Sequence, residues 1–165
     1  MNVDTILGTL NRNGVDYLLI GGMNFLLRHQ PVLTFDVDVW IEDTAANRSC
    51  CQQALIDLQA SWGPTESDWG PVAQFTGDWL ERRGVYCLIT AAGPLDVFRA
   101  VTGLPAWSVC ASRALAAQTP AGVAYRGLSD ADMLACQLAL DESVRKLDRI
   151  RTLQDSMHKR DHHEG

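Results

Sequence analysis

Asp36-Val37-Asp38-Val39 follows Ile20-Gly21-Gly22 after thirteen residues, and these two stretches decide the fold that the sequence predicts. The glycines close an apolar run over residues 17–20, and the aspartates interrupt a second run over residues 33–41, so both runs predict strands. Residues two apart in a strand project from the same face, roughly 7 Å apart along the chain. Asp36 and Asp38 therefore point the same way, and their like charges repel unless a cation lies between them.

Length and composition favour one soluble globular domain. The chain has 165 residues, 47% of them apolar, which is ample for a core in one domain, with or without a small helical appendage. No run approaches the ~20 apolar residues of a membrane span, and residues 1–4 lack the basic and then apolar pattern of a secretory signal. We therefore expect a cytoplasmic protein with no membrane partner.

The cysteines are expected to be reduced thiols that fill the core. They form an odd set without the spacing of metal ligands, which disfavours a disulfide framework. The five positions are Cys50, Cys51, Cys87, Cys110 and Cys136.

The net charge of −6 argues against nonspecific coating of nucleic acid, because that binding depends on phosphate neutralisation. Residues 1–80 carry ten acids and three arginines, whereas residues 81–165 carry ten acids and eleven lysines or arginines. This asymmetry indicates a metal-binding first half and a second half that faces phosphate or a partner. Ordinary solvated surface explains any single one of these charges equally well.

Periodicity and turn residues predict a mixed α/β fold, in which a mostly antiparallel sheet is flanked by helices and followed by a small helical C-terminal region. We expect a core over residues 1–112, a hairpin and helices packed on it over 113–157, and a flexible tail over 158–165. The predicted elements are a helix at 3–13, a strand at 16–21, a helix at 22–29, a strand at 33–41, a helix at 45–60, strands at 72–75, 85–90 and 95–98, a hairpin within 114–128, and helices at 130–140 and 143–157.

The glycine pair, the aspartate pair and this element order resemble the nucleotidyltransferase superfamily, which includes DNA polymerase beta, minimal nucleotidyltransferases and antibiotic adenylyltransferases. The single-domain proteins related to the AbiEii and MenT toxins look most similar. The matching stretches are Ile20-Gly21-Gly22 and Asp36-Val37-Asp38-Val39, and Asp96 lies where the family places its third carboxylate. The resemblance covers the first hundred residues and becomes loose beyond Arg99.

The resemblance implies a magnesium-dependent enzyme that binds a nucleoside triphosphate, such as ATP. Asp36, Asp38 and Asp96 would be the catalytic and metal-binding residues of a two-metal site, with Asp96 as the base toward the acceptor hydroxyl. Nucleotidyl transfer needs mainly positioned metal ions and phosphates, and carboxylates serve that purpose. The nucleotide would contact four further residues, namely Gly21, Gly22, Asn24 and Thr34.

The implied reaction moves a nucleoside monophosphate from the triphosphate to a hydroxyl on RNA (a tRNA end, for example), a protein or a small molecule. The toxin-like resemblance adds the expectation of an antitoxin protein as a partner. A second hypothesis is a catalytically inactive module of the same fold that binds nucleotide or protein. It arises because Val32 stands where many relatives carry an arginine.

Several assignments stay open at the level of sequence. Asp43 or Asp78 could replace Asp96 as the third carboxylate. The triphosphate needs a cation from elsewhere in the chain, although Arg28 and His29 are expected to be ordinary surface groups. The remaining candidates are Arg82, Arg83, Arg99, Arg145, Lys146 and Arg149, the last three only if the final helices fold back over the cleft.

Other features favour ordinary packing. The five tryptophans are scattered, so most are expected in the core or in loops, with Trp69 and Trp79 as the candidates for stacking a base. The histidines at 158, 162 and 163 lie in the predicted tail. The sequence contains no Walker-type loop, dinucleotide fingerprint or Gly-x-Ser-x-Gly elbow, which argues against P-loop enzymes, nicotinamide enzymes and serine hydrolases.

Overall fold

One mixed sheet runs through the computed structural model, which describes residues 1–162. Six α-helices accompany it in these residues, and the mixed α/β class predicted from the sequence is confirmed. The helices are α1 Val3–Arg12, α2 Gly21–Arg28, α3 Ala45–Asp57, α4 Trp107–Ser112, α5 Asp130–Ala139 and α6 Leu147–Asp161. The strands are β1 Tyr17–Ile20, β2 Val37–Ile41, β3 Ser61–Trp62, β4 Gly70–Pro71, β5 Val85–Thr90, β6 Gly93–Phe98, β7 Leu115–Gln118 and β8 Ala124–Gly127.

The sheet is mostly antiparallel, with the strand order β4-β3-β5-β6-β2-β1-β8-β7. Among the strand pairs within residues 1–162, β2 with β6 and β1 with β8 are the parallel ones. In the centre, Asp38 pairs with Ile20 on one side and with Asp96 on the other, and Asp96 pairs with Cys87. Paired residues share a face of the sheet, so these four side chains form one row across four strands.

The opposite face of the sheet carries the larger core. The alternate residues of β2 and β6 are fully buried there, because α1 and α3 cover them with apolar side chains. This cluster includes Val37, Val39, Leu95 and Val97 from the sheet, and Ile6, Leu7, Leu10, Ala54 and Leu55 from the helices.

A second apolar cluster covers half of the face that carries the carboxylates. It joins residues of β1 and β2 to α4, α5 and α6, and its members include Leu18, Ile20, Trp40, Cys110, Met133 and Leu153. On β5 the side chains of this face stay exposed at Val85, Cys87 and Ile89. This face is therefore covered by helices at one end and open at the other.

Several predicted elements differ from the structure. The strand expected at 33–41 begins only at Val37. Its partner β1 ends at Ile20, where α2 begins, so Asp38 is the first residue of β2 that pairs with β1. Residues 72–74 form a 3₁₀ turn that buries Val72, rather than a strand. The two-residue strands β3 and β4 and the six-residue α4 are too short for a periodic pattern to indicate them.

The C-terminal region contributes a hairpin to the main sheet and also packs helices against it. The predicted hairpin forms as β7 and β8, and β8 joins the main sheet in parallel with β1 through Leu19 and Gly127. The last helix begins at Leu147 instead of 143 and continues to Asp161 instead of ending at 157. Residues 163–165 of the predicted tail lie outside the described residues.

One thiol departs from the expectation of core-filling cysteines. Cys51 and Cys110 are buried, Cys50 and Cys136 are half-buried, and Cys87 is exposed, and all five thiols are free. None of the helices within residues 1–162 combines the length and the apolarity that a membrane span requires.

A buried carboxylate connects α6 to the rest of the fold. Asp130, at the start of α5 and 2% exposed, accepts hydrogen bonds from His29, Ser156 and Arg160 and forms an ion pair with Arg28 at 2.9 Å. The side chains of Arg28 and His29 are only about a tenth exposed, so the expectation that they are surface groups is wrong. Asp130 thus joins the end of α2 to the last helix.

Replacing this carboxylate should be strongly destabilising. Asp130→Ala leaves a buried arginine and its neighbours without an anion, so we expect the free energy of unfolding to fall by ~3 kcal/mol in a denaturant titration. Asp141→Ala is the matched control, because Asp141 is exposed and forms no ion pair with any described residue; its effect should stay within ~0.5 kcal/mol. Equal effects of the two substitutions would contradict this role of Asp130.

Candidate active site

Three carboxylates converge on the open half of the sheet. One oxygen each from Asp36, Asp38 and Asp96 lies within 4.8 Å of the others, and all three side chains are partly buried. Asp38 and Asp96 meet because β2 and β6 pair in this register, and Asp36 joins them from the irregular segment just before β2. The structure therefore brings together the three acidic residues that the sequence indicated.

The electrostatics of the cluster favour a bound cation. Burial, together with the charges of Asp36 and Asp96, raises the pKa of Asp38 to about 7, and the charge of Arg149 opposes this rise. Burial and the charge of Asp36 likewise raise the pKa of Asp96, whereas a hydrogen bond from Cys87 lowers it. A divalent cation among these oxygens would relieve the repulsion, and an all-oxygen donor set suits Mg²⁺.

The glycine turn lies directly against the carboxylates. Gly21 has φ +66°, a left-handed conformation that side chains disfavour, and any Cβ there would collide with the carboxylate of Asp38. A Cβ on Gly22 would lie 2.9 Å from Thr34 Oγ1 and 3.2 Å from Arg149 Nη2. Both glycines thus keep the backbone close to the acidic and basic groups of the site.

The start of α2 offers free backbone donors. No side chain caps this eight-residue helix, whose N-cap residue is Ile20. The first amide groups of a helix lack partners inside the helix and favour anions, phosphate groups among them. The turn therefore presents donors beside a carboxylate cluster that suits a metal ion.

Arg149 is the cation nearest to this turn. Its guanidinium lies beside Gly22 and over the ring of Phe25, 5.6 Å from the ring centroid, and it forms no ion pair with any residue in 1–162. The final helix folds back over the cleft, which is the condition under which Arg149 was a candidate for the triphosphate-binding cation. The site thus contains a cation despite Val32.

Five other basic residues are engaged elsewhere or line another cavity. Arg28 pairs with Asp130, and Arg99 makes two hydrogen bonds to Asp43. Arg145 donates to the carbonyl oxygens of residues 138 and 140. Arg82 and Arg83 line a different cavity, described below.

The two alternative carboxylates are also engaged elsewhere. Asp43 accepts hydrogen bonds from Arg48 at 2.6 Å and from Arg99 at 2.8 and 2.9 Å, and these bonds hold its pKa below the usual range. Asp78 accepts from Arg48 at 2.8 Å. Asp96 is therefore the group that accompanies Asp36 and Asp38.

The two remaining predicted contacts differ in outcome. Thr34 lies at the site, where its hydroxyl donates to the carbonyl oxygen of Asp36 at 3.3 Å. Asn24 does not lie at the site: its side chain is fully buried and donates to Leu128 O and to the sulfur of Met133. Its position on the first turn of α2 suggested a phosphate contact, but that side of the helix packs against the start of α5.

A cleft of about 400 Å³ adjoins the carboxylates, and the sequence did not indicate it. Asp38 and Gly21 line one side, Val85 and Phe98 form its floor, and Gln137 of α5 lies on the other side. Cys87 was also missed, although alternation along β5 places it opposite to the buried Tyr86, on the face of Asp96. Burial and the charge of Asp96 raise the pKa of this thiol to about 11.

Comparison with known proteins adds no relative: no protein-family model matches the chain, and no curated protein matches it.

The contact between Gly21 and Asp38 can be tested with a matched glycine. Gly21→Ala should lower the free energy of unfolding by ~2 kcal/mol or more, because strain at positive φ adds to the collision with Asp38. Gly77 has nearly the same φ, +68°, and nothing near its missing side chain, so Gly77→Ala should cost only ~1 kcal/mol. Equal losses in denaturant titrations would show that the close approach is unimportant.

Asp38 should destabilise the metal-free protein above neutral pH. Its pKa is about 7 in the folded chain against an ordinary 3.8, so the folded state holds the additional proton and stability falls as the pH rises through this window. In EDTA at pH 8, Asp38→Asn should therefore be ~1–2 kcal/mol more stable than wild type, and the difference should vanish near pH 4.

The exposed Asp155 supplies the control for this pH dependence. Asp155→Asn should follow the wild-type stability at every pH, and added Mg²⁺ should stabilise wild type more than Asp38→Asn. A wild-type protein that is as stable as Asp38→Asn at pH 8 in EDTA would rule out the electrostatic penalty.

Proposed function

We propose that this chain is a magnesium-dependent nucleotidyltransferase, which moves a nucleoside monophosphate from a nucleoside triphosphate to an acceptor hydroxyl. The observation that carries the proposal is the convergence of three carboxylates, a glycine turn with free amides and the guanidinium of Arg149 at one end of a cleft. A metal site and a phosphate site would adjoin there, as a metal-bound triphosphate requires. The nucleotidyltransferase-like sequence pattern, which rests on the same glycines and aspartates, also supports the proposal.

The residues fit this chemistry in separate roles. Asp36, Asp38 and Asp96 would hold Mg²⁺, since their oxygens are close together and their mutual repulsion favours a cation. The metal would neutralise charge on the phosphate oxygens and lower the pKa of the attacking hydroxyl. The amides that open α2 and the side chain of Arg149 would bind the β- and γ-phosphates.

The reaction forms one bond and breaks one. The acceptor oxygen bonds to the α-phosphorus, and the bond from that phosphorus to the oxygen bridging the α- and β-phosphates breaks, so pyrophosphate leaves with the bonding electrons. The acceptor proton would pass to an oxygen of Asp96, which lies beside the other two carboxylates. Arg149 and the helix amides hold the pyrophosphate as its charge increases.

Three classes of acceptor remain within the proposal, namely RNA, protein and a small molecule. The proposal also includes a role as the toxin of a toxin-antitoxin pair in the cytoplasm, which is based on the sequence resemblance alone. The alternative of an inactive binding module rested on Val32, and the position of Arg149 favours the enzyme, because it supplies the cation that Val32 does not.

Transfer of label is the direct test. Wild type with Mg²⁺ and each α-³²P nucleoside triphosphate should label total RNA, cell protein or a small-molecule fraction, and Asp36→Asn/Asp38→Asn should abolish that label. Asp155→Asn is the matched control and should label as wild type does. Absence of aspartate-dependent label in every fraction, from folded protein that binds the triphosphate, would overturn transfer and favour the binding module.

Arg149 gives a second test, with a neighbouring arginine as its control. Arg149→Gln should lower kcat/KM for the triphosphate by about 10- to 100-fold, because a charge-assisted phosphate contact is lost. Arg151 lies two residues on in α6, has a side chain that is 75% exposed and forms an ion pair with the exposed Asp148, so Arg151→Gln should change kcat/KM less than about twofold. Similar losses from both substitutions would show that a general charge effect, rather than a contact, is responsible.

A further inference from the structure

A second cavity, of about 610 Å³, lies against the opposite face of β5. Four aromatic rings surround it in edge-to-face contacts, with centroids 4.9 to 6.2 Å apart. Trp79 and Tyr86 are buried and form its floor, whereas Trp62 and Phe75 are half-buried at its opening. We call it the aromatic cavity.

Two arginines face this cavity. The guanidinium of Arg83 lies over the ring of Trp62, 5.2 Å from the centroid, and Arg82 donates a hydrogen bond to the carbonyl oxygen of Thr76 at 3.5 Å. Neither forms an ion pair with any residue that the structure describes. Asp68 is the one acid in the lining, and it accepts a hydrogen bond from Thr65. The cavity therefore combines two partly exposed aromatic rings at its opening, Trp62 and Phe75, with a local excess of positive charge.

This combination suits a ligand that is planar and anionic. A guanidinium stacked on an indole ring presents its other face to a second planar group, and its N–H groups can reach a phosphate. Base stacking on aromatic and arginine planes together with neighbouring cations is how proteins bind single-stranded nucleic acid. An acidic peptide would match the charges but would make little use of the stacked planes.

The aromatic cavity and the cleft at the carboxylates are neighbours across one strand. Arg82, Arg83 and Tyr86 line the aromatic cavity, and Val85, within the same segment, lines the cleft. Two residues further along β5, Cys87 is paired with Asp96. The two spaces lie on opposite faces of β5, so one strand of nucleic acid would enter both by passing around the exposed Val85 at the start of β5.

We propose that the aromatic cavity binds a base and its phosphate in a single-stranded nucleic acid, and that this strand supplies the acceptor hydroxyl to the carboxylate site. The second part rests on the proposed function, whereas binding in the cavity stands by itself. Among the three acceptor classes, the proposal selects nucleic acid.

The binding test uses ten-nucleotide RNA and DNA strands of mixed sequence with a fluorescent 5′ label, measured by anisotropy without Mg²⁺ or nucleoside triphosphate. Arg82→Gln/Arg83→Gln should weaken binding at least tenfold and reduce the slope of log affinity against log salt by about 1.4, since each phosphate contact contributes about 0.7 on single strands. Both arginines are exposed, so the variant should fold, which circular dichroism checks.

The control Arg12→Gln/Lys159→Gln removes the same charge at exposed positions on α1 and α6 and should retain nearly wild-type affinity. Asp36→Asn/Asp38→Asn should bind the strands at least as tightly as wild type. Failure of wild type to bind either strand at 50 mM salt, or equal losses in the two charge-matched variants, would overturn the aromatic cavity as a nucleic-acid site.

The transfer assay separates this proposal from the proposed function. If the label enters RNA, Arg82→Gln/Arg83→Gln should raise the KM for RNA and leave the KM for the triphosphate unchanged. That result would support both the acceptor role of the cavity and the enzyme. Cavity-dependent binding without aspartate-dependent label would leave the cavity standing and refute the enzyme. Aspartate-dependent label that enters only protein or a small molecule, or is insensitive to the two arginines, would refute the acceptor role and leave the enzyme standing.

Discussion

The parallel pairing of β2 with β6 is the constraint on which the site depends, because it places Asp38 and Asp96 side by side on one face of the sheet. A shift of one residue would turn either carboxylate into the core formed by Val37, Val39, Leu95 and Val97. The hydrophobic pattern that fixes this register therefore also fixes the site. This register places like charges next to each other, so the fold needs an opposing charge close to the cluster.

The C-terminal helix balances this charge. Asp130 joins α6 to the end of α2 through Arg28, His29 and Arg160, and the same helix places Arg149 beside the glycine turn at the start of α2. The start of α2 thus lies beside Arg149 of α6, and the end of α2 is linked to α6 through Asp130. The region that follows the hairpin is part of the site, because Arg149 is the group that lowers the pKa of Asp38 against its acidic neighbours.

The sequence predicted those parts of the fold whose information is local. Alternation and turn residues located β1, the aspartates, β5, β6 and the hairpin, and the three carboxylates met as expected. What it could not provide depends on distant pairing. Asn24 faces α5 instead of the cleft, and Arg149 reaches Gly22 across more than a hundred residues. The start of β2 at Val37 likewise depends on where its partner β1 ends, and the apolar run over residues 33–41 does not indicate that position.

The uneven cover of the carboxylate face gives the two proposed substrates separate approaches. Helices α2 and α6 enclose the side that carries Gly21, Gly22 and Arg149, which suits a triphosphate held by fixed donors. The β5 side is open, with Val85, Cys87 and Ile89 exposed, so an acceptor can reach the same carboxylates from the opposite direction. An in-line displacement needs the attacking and leaving oxygens on opposite sides of the phosphorus. A site enclosed on one side and open on the other meets that requirement without a large rearrangement of the fold.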